Sequence, residues 1–241
     1  MVDFAKTISV KRPNHKRPLI WLQYISYACF QFGINHSDIQ HIFYLYLLTK
    51  FENFDSTQFA QILTYQSILS TIGLLVLIPL MSKVLKFNDI TIQMIVCVTE
   101  SLSLFLLTLA QNRWELYLII SIGMLSTCKS SILRSILTKS VNSNEIGKAL
   151  SGLSIIAAAM PYITAPSIQG LYKATLGIFP ASFVLLAGSL MLFAFEINGI
   201  LYLNKEHIYG DEKVEGNDVN DKTKDFSSKY SKINSAEFAH F

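Results

Sequence analysis

Six apolar runs between residues 19 and 203 constrain this chain more than any other feature. They cover 19–48, 57–82, 90–110, 115–138, 146–172 and 178–203. Roughly 20 apolar residues suffice to carry a helix across a bilayer, and each run meets that length. The charges, only 15% of the residues, gather at the two ends and in brief loops. With 51% apolar residues and a mean hydropathy of +0.38, the pattern predicts an all-α, polytopic membrane protein with six transmembrane helices.

Three regions follow: a basic cytosolic linker over 1–18, a six-helix transmembrane bundle over 19–203 and a tail over 204–241. The linker holds Lys6, Lys11, Arg12, Lys16 and Arg17. Lys83, Lys86, Lys139 and Lys148 fall on the same side of the membrane, against Lys50, Arg113 and Lys173 on the other. Basic residues collect on the cytosolic side, so both termini are expected in the cytosol. The tail mixes charges with Gly, Ser and Asn and loses hydrophobic periodicity, which reads as disorder. A net charge of +3 gives no nucleic-acid signature. Cys29, Cys97 and Cys128 all lie in apolar runs with no CxxC spacing, and read as reduced packing residues. The linker has no secretory h-region, so the first span would act as its own insertion signal.

Polar groups inside the runs are the candidates for function. Span one is about 30 residues long, and its middle reads GINHSDIQH. A broken or cavity-lining helix explains that stretch, because irregular backbone and polar side chains survive at depth only beside water or protein. The other reading is the extracellular exit of a shorter span. His36 could change charge near neutral pH, or serve only as a hydrogen-bond partner. Asp38 and His41, three apart, share a helix face on which a carboxylate–imidazole pair could form. His36, Asp38 and His41 do not converge on one point of a helix, which argues against a metal site.

Glu100 interrupts span three, either as a packed hydrogen-bonded carboxyl or as part of a pathway. Span four carries Lys129 and Arg134. Arg134 is the stronger candidate, since a guanidinium stays charged and can clamp a carboxylate at two points. Facing lipid would cost it roughly 2.5–3.5 kcal/mol on insertion scales, so it is expected to face a wet cavity or an acidic partner, or to snorkel to the cytosolic surface. Asn142-x-x-Glu145 resembles a capping box, and Gly147 with Ser151 gives a small-xxx-small pattern. Pro79 is expected to bend span two, and Pro161 and Pro166 span five. HExxH, GxSxG, a phosphate-binding glycine loop and a pair of intramembrane aspartates are all missing, so no enzyme and no cofactor is expected.

Several motifs in order carry a family resemblance: LRSILTKSVNSNEIGKAL, LYKATLGIFP and FVLLAG between Ile132 and Gly188, and His36 through Leu48 followed by Asp55-Ser56. They resemble the proton-coupled folate transporter family (solute carrier family 46) of the major facilitator superfamily, over roughly residues 20–203. In that family an arginine closes the tenth helix, and the resemblance assigns its substrate and proton role to Arg134. His36 matches a seventh-helix histidine linked to proton coupling, and Pro180 the proline of the last external link. The folate branch has an acidic residue where this chain has His41, and a tryptophan where it has Phe54.

The family has twelve helices in two halves, and the likeness is to the second half. The resemblance therefore implies a transporter half or fragment that moves a small anionic organic solute, with protons, in the plasma membrane or an endolysosomal membrane. Its partners would be the lipid bilayer and a further six-helix half or a second copy of the chain. The alternative is a truncated or half-size membrane protein that pairs with another bundle and transports nothing itself.

Overall fold

The computed structural model describes residues 16–32, 37–84, 86–141 and 145–204. The chain divides after Leu203, with Asn204–Phe241 a separate unit. Every regular element among the described residues is helical. Among the described residues, four helical stretches are long and apolar enough to cross a membrane, or five if one bent pair counts as a single span. Of the six spans expected, four or five are matched by helices of that kind, for a local reason.

Span one is not a continuous helix. It is α1 (Lys16–Phe30) followed by α2 (Ser37–Lys50), 15 and 14 residues long, each too short to qualify alone. The last turn of α1 tightens: the amides of Gln31 and Phe32 donate to the carbonyls of Ala28 and Cys29, three residues back. Gly33 and Asn35, both poor helix formers, follow in the sequence.

Span two is α3 (Ser56–Ile72), capped by the Asp55 carboxylate, which accepts from the Gln58 amide at 2.9 Å. It continues to Val84 through two wider π turns, Gly73–Leu77 and Leu80–Val84, on either side of Pro79. Proline has no amide to offer the preceding turn, and looser turns absorb that loss. Gly73 is buried where a Cβ would lie 3.2 Å from the Met124 carbonyl, so the π turn lets α3 approach the next broken helix closely.

Helix α4 (Asp89–Leu109) is unbroken. Span four is α5 (Arg113–Ile122), a 3-10 turn over Met124–Cys128 and α6 (Lys129–Ser140), bent by 43°. The bend falls at Gly123, with φ −82 and ψ 10, a sparsely allowed region. A Cβ on Gly123 would sit 2.8 Å from the Ser103 hydroxyl oxygen, so the close crossing of α4 and α5 requires glycine. Helices α7 (Ile146–Ala159) and α8 (Pro161–Thr175) together form one 30-residue candidate span. Pro161 takes the first position of α8, where a missing amide costs nothing, and Pro166 lies inside it. Pro180 sits in the link to α9 (Ser182–Leu203), which the Thr175 and Ser182 hydroxyls close at 2.5 Å.

The core centres on α4 and α9, whose packing is the most extensive, with α1 and α6 alongside. Phe183 is fully buried between the rings of Tyr46 and Tyr172, both edge-on at 5.7 and 5.8 Å. At the end of α2 the Lys50 ammonium donates to the carbonyls of Leu107 and Thr108 and to the Tyr46 hydroxyl, all within 2.9 Å. A cation on those terminal carbonyls closes the C-terminus of α4. At the other end, Asp89 accepts from Ser135 at 2.6 Å and pairs with Lys139 at 3.1 Å, tying α6 to α4.

By contrast, α3 and the α7–α8 span are scarcely buried, and Ile68, Leu75, Val76, Tyr162 and Ile163 lie exposed. Apolar surface on that scale is costly against water and neutral against acyl chains. Long apolar helices of this kind are consistent with a membrane protein.

Candidate functional site

Helix periodicity puts two charges at the centre of the bundle. On α4 the inward stripe runs Gln93, Cys97, Glu100, Leu104 and Leu107, all buried. On α6 it runs Lys129, Leu133, Ile136 and Ser140. The Lys129 ammonium meets Glu100 Oε1 at 2.6 Å, with side-chain exposures of 10% and 4%. The same ammonium lies 5.7 Å from the centre of the Phe30 ring, a cation–π contact at the end of α1. Glu100 Oε2 is buried and has no hydrogen-bond partner among the described residues. Burying two charges is repaid only by close geometry, and such a pair is weak evidence for stability as such.

Uncharged polar groups are buried elsewhere along the same helices. The Gln23 amide donates to the Ser140 hydroxyl at 2.9 Å, and the Asn198 amide to the Ser26 hydroxyl at 3.2 Å and the Ala194 carbonyl at 2.7 Å. Both side-chain polar atoms of Gln93 are buried without partners among the described residues. Four helices, α1, α4, α6 and α9, thus contribute polar atoms to an otherwise apolar interior.

A cavity of about 60 Å³ adjoins the pair on the α5 side. Phe43, Leu104, Leu107, Ile119 and Ile120 wall it, and Glu100, Ser103, Gln66 and Ser126 also line it. The Ser103 hydroxyl donates to the Ile119 carbonyl at 2.9 Å, which holds that wall in place.

The second cation of span four points elsewhere. Arg134 is exposed and makes no ion pair with a described residue. It belongs to an outward stripe of Thr127, Ser131, Arg134 and Thr138, spaced four, three and four residues apart. Five residues separate Lys129 from Arg134, which is about 140° around a helix of 3.6 residues per turn. One faces the core and the other faces away from it.

Of the remaining sequence candidates, His41 is exposed on α2, while His36 and the Asp38 side chain lie outside the described residues. Glu145 stands just before α7, and Asn142, its expected capping partner, is outside the described residues. Gly147 opens onto empty space: the face of α7 buried within this chain carries Ala149, Gly152 and Leu153 instead. Sequence reasoning ranked Lys129 below Arg134. The signal for Lys129 was available, since it continues the apolar stripe of Leu133 and Ile136. No group of three His, Cys, Asp or Glu side chains fit to hold a metal ion occurs among the described residues.

The fold and these polar groups define an all-helical protein with four or five helices able to cross a membrane and a charged pair in its core. No family model, no curated protein and no solved structure matches the chain.

Proposed function

We propose that this chain is one half of a membrane transporter of the proton-coupled folate transporter type, moving a small organic anion together with protons. One observation carries the reading. The outward face of α6 is Ser131, Arg134 and Thr138, continued by Thr127 in the preceding 3-10 turn, where a lipid-facing helix would present Leu and Ile. An arginine directed at hydrocarbon is unfavourable by roughly 2.5–3.5 kcal/mol, so that face belongs to a water-filled cleft. In this reading the cleft lies between the chain and a second six-helix bundle, a further half or a second copy. Arg134 draws in the anion's carboxylate, and His36, Asp38, His41 and Glu100 are the groups available to the proton. The α1–α2 pair then crosses as one broken span, giving six crossings with both termini in the cytosol, in the plasma membrane or an endolysosomal membrane.

Uptake of labelled mono- and dicarboxylates across an acid-outside gradient tests this. Charge-assisted hydrogen bonds contribute about 1.5–3 kcal/mol, so Arg134→Ala is expected to lower uptake roughly 10- to 100-fold, with partial recovery in Arg134→Lys. Equal uptake by wild type and Arg134→Ala would remove Arg134 from the mechanism.

A second reading rests on α7, where Gly147, Ser151, Ser154 and Ala158 form an exposed small-residue face. Such faces admit another helix closely. The chain would then be a half-size protein that pairs with another bundle and carries nothing alone. Absence of uptake, with cross-linking to a partner through Ser151→Cys, would favour it.

A further inference from the structure

Glu196 interrupts the outer face of α9, where it is exposed among Leu192, Phe193, Ile200 and Leu203. It makes no hydrogen bond or ion pair among the described residues. It stands seven positions before the end of the helix, about 10 Å along the axis and more than a glutamate side chain spans. Helix α9 is long and apolar enough to cross a membrane, and ionisable groups at such a depth pair with an opposite charge or face water. The same chain carries the complementary group. Arg134 is exposed six positions before the end of α6, about 9 Å along the axis, and is likewise unpaired among the described residues. Helix α4 sets the two at one level. Arg134 lies midway between Lys129, which pairs with Glu100, and Lys139, which pairs with Asp89. Glu196 lies between Gly188, whose carbonyl accepts from Ser101, and Tyr202, which shares a groove with Thr91. Both therefore stand beside residues 94–98 of α4, within about one helical turn of each other. Lys83, Lys86, Lys148 and Lys173, by contrast, lie in or beside the terminal turns of their helices.

Size is complementary as well. Thr127, Ser131 and Thr138 leave a shallow flank beside Arg134, and Leu192, Phe193 and Ile200 stand out around Glu196. Helices α6 and α9 each pack on α4 and α1 and turn these faces away from them, so the two charges of one copy do not meet each other. We propose that this chain associates with a second copy of itself through these faces, Arg134 of one copy pairing with Glu196 of the other. The contact joins two different surfaces and is head-to-tail. The inference rests on the reading of the α6 outer face as turned toward another bundle, and it names that bundle. Arg134 then holds Glu196 of the second copy when no anion is bound.

Energy transfer between full chains fused to donor or acceptor fluorescent proteins, in phosphatidylcholine liposomes at graded protein-to-lipid ratios, reads the association. Wild type is expected to exceed a monomeric membrane-protein control at the same density. Glu196→Leu and Arg134→Leu each suit a lipid-facing position, so they remove a charge without hindering insertion. Each is expected to raise the density needed for half-association roughly tenfold or more, because it leaves the other charge unpaired at the contact. Exchanging the charges, Glu196→Arg together with Arg134→Glu, is expected to restore the transfer that either change alone abolishes. If the exchanged chain does not insert, the two leucine variants decide. The inference is overturned if wild type transfers no more than the control, if either leucine variant associates as wild type does, or if the inserted exchanged chain does no better than its single parents. Uptake by Arg134→Ala addresses the transport reading separately. Loss of uptake without any association would leave that reading standing and remove this one, and association through the pair with uptake unchanged would do the reverse.

Discussion

Glu100→Ala is expected to destabilise the protein by about 3–5 kcal/mol, because it strands the Lys129 ammonium in the core, facing the Phe30 ring and no other described partner. The loss is a penalty for the orphaned charge more than a measure of what the pair contributes. Replacing both partners separates the two quantities. Glu100→Leu combined with Lys129→Met removes the charge and keeps the volume, and is expected to regain most of the lost stability. Unfolding of purified protein in a denaturing detergent, followed by circular dichroism, gives the three values. A single variant as mild as a surface substitution would mean that the ammonium has another outlet, and the core described above would be wrong. If the double variant is stable yet impaired in uptake, the pair is kept for function and not for the fold.

The second large effect is expected at Phe183, where α9 meets α2 and α8. Its ring is fully buried and packs edge-on against Tyr46 and Tyr172. Phe183→Ala leaves a cavity between three helices, a change that removes about 3–5 kcal/mol in protein cores. In a bilayer the unfolded helices also lie in apolar surroundings, so the dispersion contacts make up the larger part of the loss and a value near the lower end is expected. Phe183→Leu, which fills much of the same space, is expected to cost less. The same detergent-unfolding assay measures both, and an Ala variant no worse than Leu would show that the three rings do not form one packed unit.

Much of the architecture can be read from particular residues. The apolar runs around α3, α4, α7–α8 and α9 anticipate the long helices, and Pro161 falls at the junction between α7 and α8. Glu100 is conspicuous as an acid in an apolar run. Its partner is not, because Lys129 lies 29 positions away on another helix and only the rotation of both helices brings them together. Ranking Lys129 below Arg134 weighed side-chain chemistry and not helix phase, so it did not anticipate which of the two enters the core. An arginine binds carboxylates better, but Lys129 occupies the inward stripe. The break in the first span was foreshadowed by GINHSDIQH, yet composition alone could not divide one 30-residue run into α1 and α2, since the flanking residues are as apolar as those of any crossing helix. Nor could the cavity be foreseen, as it depends on Gly123 bringing α5 against Ser103.

The arrangement proposed here requires Ser56–Val84 to cross the bilayer, with Asn53 outside and Lys86 in the cytosol. Single cysteines at these positions, in a chain with Cys29, Cys97 and Cys128 replaced by serine or alanine and brought to the plasma membrane, can be labelled in intact cells with a membrane-impermeant thiol reagent. The account predicts that Asn53→Cys reacts in intact cells and Lys86→Cys reacts only after permeabilisation. Reaction of both in intact cells, or of neither until permeabilisation, would contradict it.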